Sequence, residues 1–83
     1  MWKIGFEIEL DRIENNYLHP TEFIQKWVND KTCYKEAITY PIELVGVGKK
    51  RNKIFKLINS HEYLFKHFIS VNCGGHITIS NDN

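Results

Sequence analysis

The chain has 83 residues, 42% of them hydrophobic and 13% aromatic, with a formal net charge of +1. That is the composition of one globular domain and not of a disordered segment. A charge so near zero selects neither nucleic acid nor an anionic membrane as partner. No apolar run approaches the about 20 residues that a membrane-spanning helix needs, and the first residues read as a strand instead of a secretory signal. A chain this short buries only about 60% of its unfolded surface and is marginal without help. The two cysteines, Cys33 and Cys73, are too few for a disulfide framework. They read as free thiols in a reducing cytosol, with a single bridge as the alternative. The expectation is one cytoplasmic domain over residues 1–83.

Trp2 to Asp11 alternates without a fault. Trp2, Ile4, Phe6, Ile8 and Leu10 point one way, and Lys3, Gly5, Glu7, Glu9 and Asp11 the other. Such alternation predicts a β-strand with one face in a core. The opposite face carries Glu7 and Glu9 about 7 Å apart, where they repel unless a cation lies between them. That cation is either a divalent metal or the head of a Lys or Arg side chain. Arg12 to His19 is polar, with a turn signal at Asn15-Asn16. Pro20 then opens a short predicted helix, with Phe23, Ile24, Trp27 and Val28 at helical spacing and Asn29-Asp30 ending it. Thr32 to Lys35 fits a short strand or a loop.

Ala37 to Val47 reads as the second clear strand. Ile38, Tyr40, Ile42 and Leu44 share one predicted face, and Thr39, Pro41, Glu43 and Val45 the other. Pro41 has no N–H for a ladder, which predicts an edge position or a bulge. Lys49 to Phe68 reads as helix, broken near Asn59-Ser60, with Ile54, Leu57, Ile58, His61, Phe65 and Phe68 as its apolar stripe. Lys49, Lys50, Arg51, Lys53 and Lys56 crowd its first turns against the helix dipole, and fit a solvated face or an anion site. The last strand, Gly75 to Ser80, puts Ile77 and Ile79 on one face and His76, Thr78 and Ser80 on the other.

These elements predict a two-layer α+β fold, with an antiparallel or mixed sheet and both helices on its Trp2/Phe6 face. If the three clear strands are neighbours, Glu7, Glu9, Glu43 and His76 converge on the helix-free face. Carboxylates in that number suit a hard divalent cation, most simply Mg²⁺ bridging to phosphate oxygens. Singly, each group has an ordinary reading: surface carboxylates, a lysine partner for Glu43, a hydrogen-bonding role for His76. His61 lies on an apolar stripe and reads as a core histidine. His19 and His67 have no neighbours that suggest a site, and no His–acid pair is set to activate Cys73.

Gly5-Phe6-Glu7-Ile8-Glu9-Leu10, Ile42-Glu43-Leu44-Val45 and Asn72-Cys73-Gly74-Gly75-His76-Ile77-Thr78-Ile79, in this order, resemble the amidoligase family. These are ATP-dependent carboxylate–amine ligases related to glutamate–cysteine ligase and, more distantly, glutamine synthetase. Their pattern is a G-x-E-x-E strand, an E-[LIV]-[VI] strand and a C-G-x-H-[VI]-H strand, and Trp27 and Asp30 also fall where the family often has Trp and Asp. The resemblance implies a partial glutamine synthetase-like domain. Glu7, Glu9 and Glu43 would bind the Mg²⁺ ions that hold the ATP phosphates, with His76 beside them near metal or phosphate. A carboxylate would be activated as an acyl-phosphate and attacked by an amine. The second His of the last motif is Thr78 here, which weakens one expected nucleotide-site ligand. The family's further strands, with their basic nucleotide-binding residues, do not follow. The expectation is therefore the N-terminal half of such an enzyme, acting with a partner chain or by self-association. The alternatives are a non-catalytic module that keeps the metal-site strands and an inactive fragment.

Overall fold

The computed structural model describes residues 2–43, 49–66 and 74–81. Its centre is β1 (Trp2–Leu10), the strand that the alternation predicts. Around it lie β2 (Ile24–Asn29), β3 (Lys35–Thr39), β4 (Ile42–Glu43) and β5 (Gly75–Asn81). A short turn of 3-10 helix spans Asn15–Tyr17, and α1 (Lys49–Ser60) and α2 (Glu62–Lys66) precede the last strand. All strand pairs are antiparallel. β5 flanks β1 from Trp2 to Ile8. On the opposite side, β3 takes Glu7 to Leu10 and β4 takes Lys3 and Ile4. With β2 on the far side of β3, the sheet runs β2, β3 with β4, β1, β5, in an α+β arrangement.

β3 and β4 are one strand broken at Pro41. Glu7 pairs with Ile38 and Ile4 with Ile42, so three steps along β1 face four along its partner. The extra residue is a bulge, placed where proline's missing N–H would interrupt a ladder. There the Thr39 hydroxyl takes over, accepting the Phe6 N–H at 2.8 Å. The bulge also changes the face of everything beyond it. Ile38 stands opposite Glu7 and so lies on the helix-free face, not with Ile42 as strict alternation predicts.

The predicted helix after Pro20 is instead β2, and its spacing has a different cause. Thr21 Oγ1 accepts the N–H groups of Phe23 and Ile24 at 3.1 and 3.0 Å, a local turn that competes with helix. A second bulge, between Ile24 and Lys26, shifts the register. It puts Ile24 and Trp27 on the same face although they are three residues apart, which imitates helical periodicity.

Both helices belong to the 49–66 segment, the second of the two predicted helices, and they pack on the Phe6 face; the first predicted helix is not there to join them. Leu10, Ile8, Phe23, Ile24, Ala37 and Leu64 form the buried cluster, with Phe6, Ile42, Leu57 and Phe65 partly buried against it. The break falls at His61, between α1 and α2. Leu64, at helical spacing from Leu57 and His61, is fully buried, while Phe55, off that stripe, is 51% exposed. Lys53 and Lys56 are exposed, in keeping with a solvated face; Phe68 and the strand prediction beyond Glu43 fall outside the described residues. Cover is one-sided along β1: Leu10 is 0% exposed and Trp2, predicted as core, is 54% exposed. Cys33 is disulfide-bonded and not the free thiol expected. The other cysteine, Cys73, lies outside the described residues.

Candidate functional site

Register decides which side chains share the helix-free face. Glu7 is opposite His76, Gly5 opposite Thr78, and Lys3 opposite both Ser80 and Glu43. All five residues proposed from the sequence, Glu7, Glu9, Glu43, His76 and Thr78, therefore stand on one face. They do not stand together. His76 Nδ1 lies 3.5 Å from Glu7 Oε2, with both side chains accessible. Glu9 Oε2 accepts the Gly74 N–H at 3.0 Å and lies 4.0 Å from Cys33 Sγ, a disulfide sulfur with no proton to donate. Glu9 thereby ties the start of β5 to β1. Glu43 is level with Lys3, about 13 Å along β1 from Glu7 at the rise of an extended chain. It lines a 330 Å³ depression with Glu22, Tyr40 and Lys53, whereas Gly5, Glu7 and Thr78 border a 140 Å³ depression that shares only Pro41 with it. Among the described residues, no three His, Cys, Asp or Glu side chains converge as a metal site.

The acidic residue beside Glu9 is Glu36, which pairs with it across β1 and β3. Partial burial raises the Glu36 carboxyl above the usual range, and the charges of Glu7, Asp30 and Glu9 push it the same way, against a smaller pull from His76. Sequence reading misses it because Thr32 to Lys35 gives no clear strand signal. Without a recognised β3, its pairing with β1, which places Glu36 at Glu9, cannot be read from the sequence.

The remaining singled-out residues hold structure. His61 is 3% exposed, with Nε2 2.7 Å from Thr21 Oγ1 and Nδ1 2.8 Å from the Leu57 carbonyl. The hydroxyl already accepts two N–H groups, so its own proton goes to Nε2 and the ring's proton sits on Nδ1. Trp27 Nε1 donates to the His19 carbonyl at 3.1 Å. Asp30 Oδ1 accepts from the Thr32 N–H and hydroxyl and from the Cys33 N–H, at 2.8, 2.7 and 2.9 Å. Those bonds, the Thr32 hydroxyl first, hold its carboxyl below the usual range. His67 and Cys73 lie outside the described residues.

No helix among the described residues is long and apolar enough to cross a membrane. Comparison with protein-family models, with curated proteins and with solved structures finds no match for this chain.

Proposed function

We propose that the chain acts as the metal- and nucleotide-binding half of an amidoligase-type carboxylate–amine ligase. One observation carries this reading. The Gly5-Phe6-Glu7-Ile8-Glu9 strand and the Gly75-His76-Ile77-Thr78 strand are direct neighbours, with Glu7 facing His76 on a helix-free face. Residues nearly seventy positions apart in sequence thus meet across one strand pair.

The donors suit Mg²⁺ in kind, since Mg²⁺ usually takes one or two protein carboxylates and completes its shell with water and substrate phosphates. Glu7 with Glu9 would hold one such ion. Glu43, at the other end of β1, would serve a second and not the same one. Bound Mg²⁺ would supply the positive charge that neutralises phosphate oxygens during transfer. The chain's own part is positional. Glu7 orients the His76 ring from 3.5 Å, and the ring's other nitrogen is available to a phosphate oxygen. Gly5 keeps the floor between Glu7 and Thr78 free of a side chain, which admits a phosphate close to the sheet.

Titration of the purified protein with Mg²⁺, then ATP, tests this by Trp emission and thermal melting. A ligand at 100 times its Kd stabilises by about 2.7 kcal/mol, on the order of 10 °C in a domain this small. Glu7→Gln should abolish the shift. A melting temperature and emission that do not move at millimolar Mg²⁺ and ATP would overturn the reading.

A further inference from the structure

We infer that β5 is a pairing edge for a second copy of this chain, joined antiparallel about Thr78 into one continuous sheet. The phase of the ladder shows which groups are on offer. Glu9 N–H donates to the Gly74 carbonyl at 3.0 Å. Antiparallel pairs alternate, so Glu7/His76, Gly5/Thr78 and Lys3/Ser80 are the hydrogen-bonded pairs, and Phe6/Ile77 and Ile4/Ile79 are not. Phe6 N–H accordingly points away from β5, to Thr39 Oγ1. The N–H and C=O groups of Ile77 and Ile79 then point outward, and among the described residues no strand pairs with that side of β5.

The two edges of the sheet differ. β2 carries a bulge and Lys26, two of the devices that blunt an edge. β5 keeps register through seven consecutive pairs with no bulge, and Gly75–Asn81 holds neither Pro nor Lys. It is exposed throughout, with Ile77 and Ile79 at 64% and 60% and Trp2 beside them at 54%.

A second copy fits this edge because β5 is complementary to itself. With Thr78 on the two-fold axis, Ile77 lies opposite Ile79 of the second copy in a hydrogen-bonded pair, and the reverse pair forms across the axis. The four isoleucines then cover one another on the helix side. On the opposite side His76 meets a serine, so no like charges are apposed. No other register centred on β5 satisfies the outward groups and pairs both isoleucines with isoleucines.

The register is tested with Thr78→Cys, which places two thiols across the axis in a non-hydrogen-bonded pair, about 4.5 Å apart at Cα and within disulfide range. Mild oxidation should give a covalent dimer linked at position 78 by peptide mapping, whereas Ser80→Cys should not cross-link. In parallel, light scattering should give twice the monomer mass. Ile79→Pro removes an outward N–H and leaves the β1 ladder intact, and should return the protein to monomer with an unchanged circular dichroism spectrum. Ile77→Lys should do the same if the proline variant unfolds. A monomer at every concentration, or a dimer that survives both substitutions, would overturn the inference.

Discussion

Two carboxylates respond to acid in opposite directions. Glu36 in the folded chain holds its proton more tightly than an unfolded glutamate does, chiefly because burial disfavours its charge. The folded state then binds more protons than the unfolded one as pH climbs past the usual glutamate range. Its contribution is fully present below that range and is lost as pH rises through the raised value. Glu36→Gln should therefore raise the melting temperature at pH 7 and leave it nearly unchanged at pH 3. Asp30 has the reverse sign: its hydrogen bonds keep it ionised in the fold, and stability is lost as pH falls through the lowered value. Asp30→Ala should lower the melting temperature at pH 7 and flatten the acid limb of the melting profile. The buried Thr21–His61 pair depends on exacting hydrogen bonds. Thr21→Val leaves Nε2 and two backbone N–H groups without their partner, and should cost about 1–3 kcal/mol by denaturant unfolding.

Among the elements, β1 and β5 follow from alternation alone, because a strict period of two has one structural reading. The break in the long helix is likewise marked by Asn59-Ser60, residues that favour local backbone bonds over continued helix. The two failures share a mechanism. A bulge adds one residue and inverts the faces on its two sides, so Ile38, before Pro41, does not share the face of Ile42 after it, and Ile24/Trp27 mimics a helix. The candidate site suffers in the same way: Glu7 and His76 are legible because β1 and β5 pair without interruption, while Glu36 and Glu43 sit on opposite sides of the Pro41 bulge. Core depth along β1 gives a further expectation. Leu10→Ala should cost about 3–5 kcal/mol, as for a fully buried leucine. Phe6→Ala, at a half-buried position, should cost about 2 kcal/mol. Equal losses in urea denaturation would contradict the one-sided core.

In the molecule as a whole, a small core is supplemented by the disulfide at Cys33, which suits a domain too short to be stabilised by burial alone. Reduction, or Cys33→Ser, should cost about 2–4 kcal/mol, seen as a melting temperature that falls when reductant is added; no change would mean that the bond is not part of the stable fold.

The gradient from Leu10 to Trp2 also divides the sheet into parts that open separately. Amides at the Ile8–Leu10 end, under Phe23 and Leu64, should exchange with solvent only when the whole chain unfolds. Those at Trp2–Ile4, between exposed strands, should exchange by local fraying at far lower free energy. Glu7 and Glu43 should then belong to different cooperative units. Whatever binds Glu43 and β4 orders a frayed end and draws part of its affinity back into folding, whereas a ligand at Glu7 meets a scaffold already formed. Hydrogen exchange should show this asymmetry directly, with slow amides at one end of a single nine-residue strand and fast ones at the other.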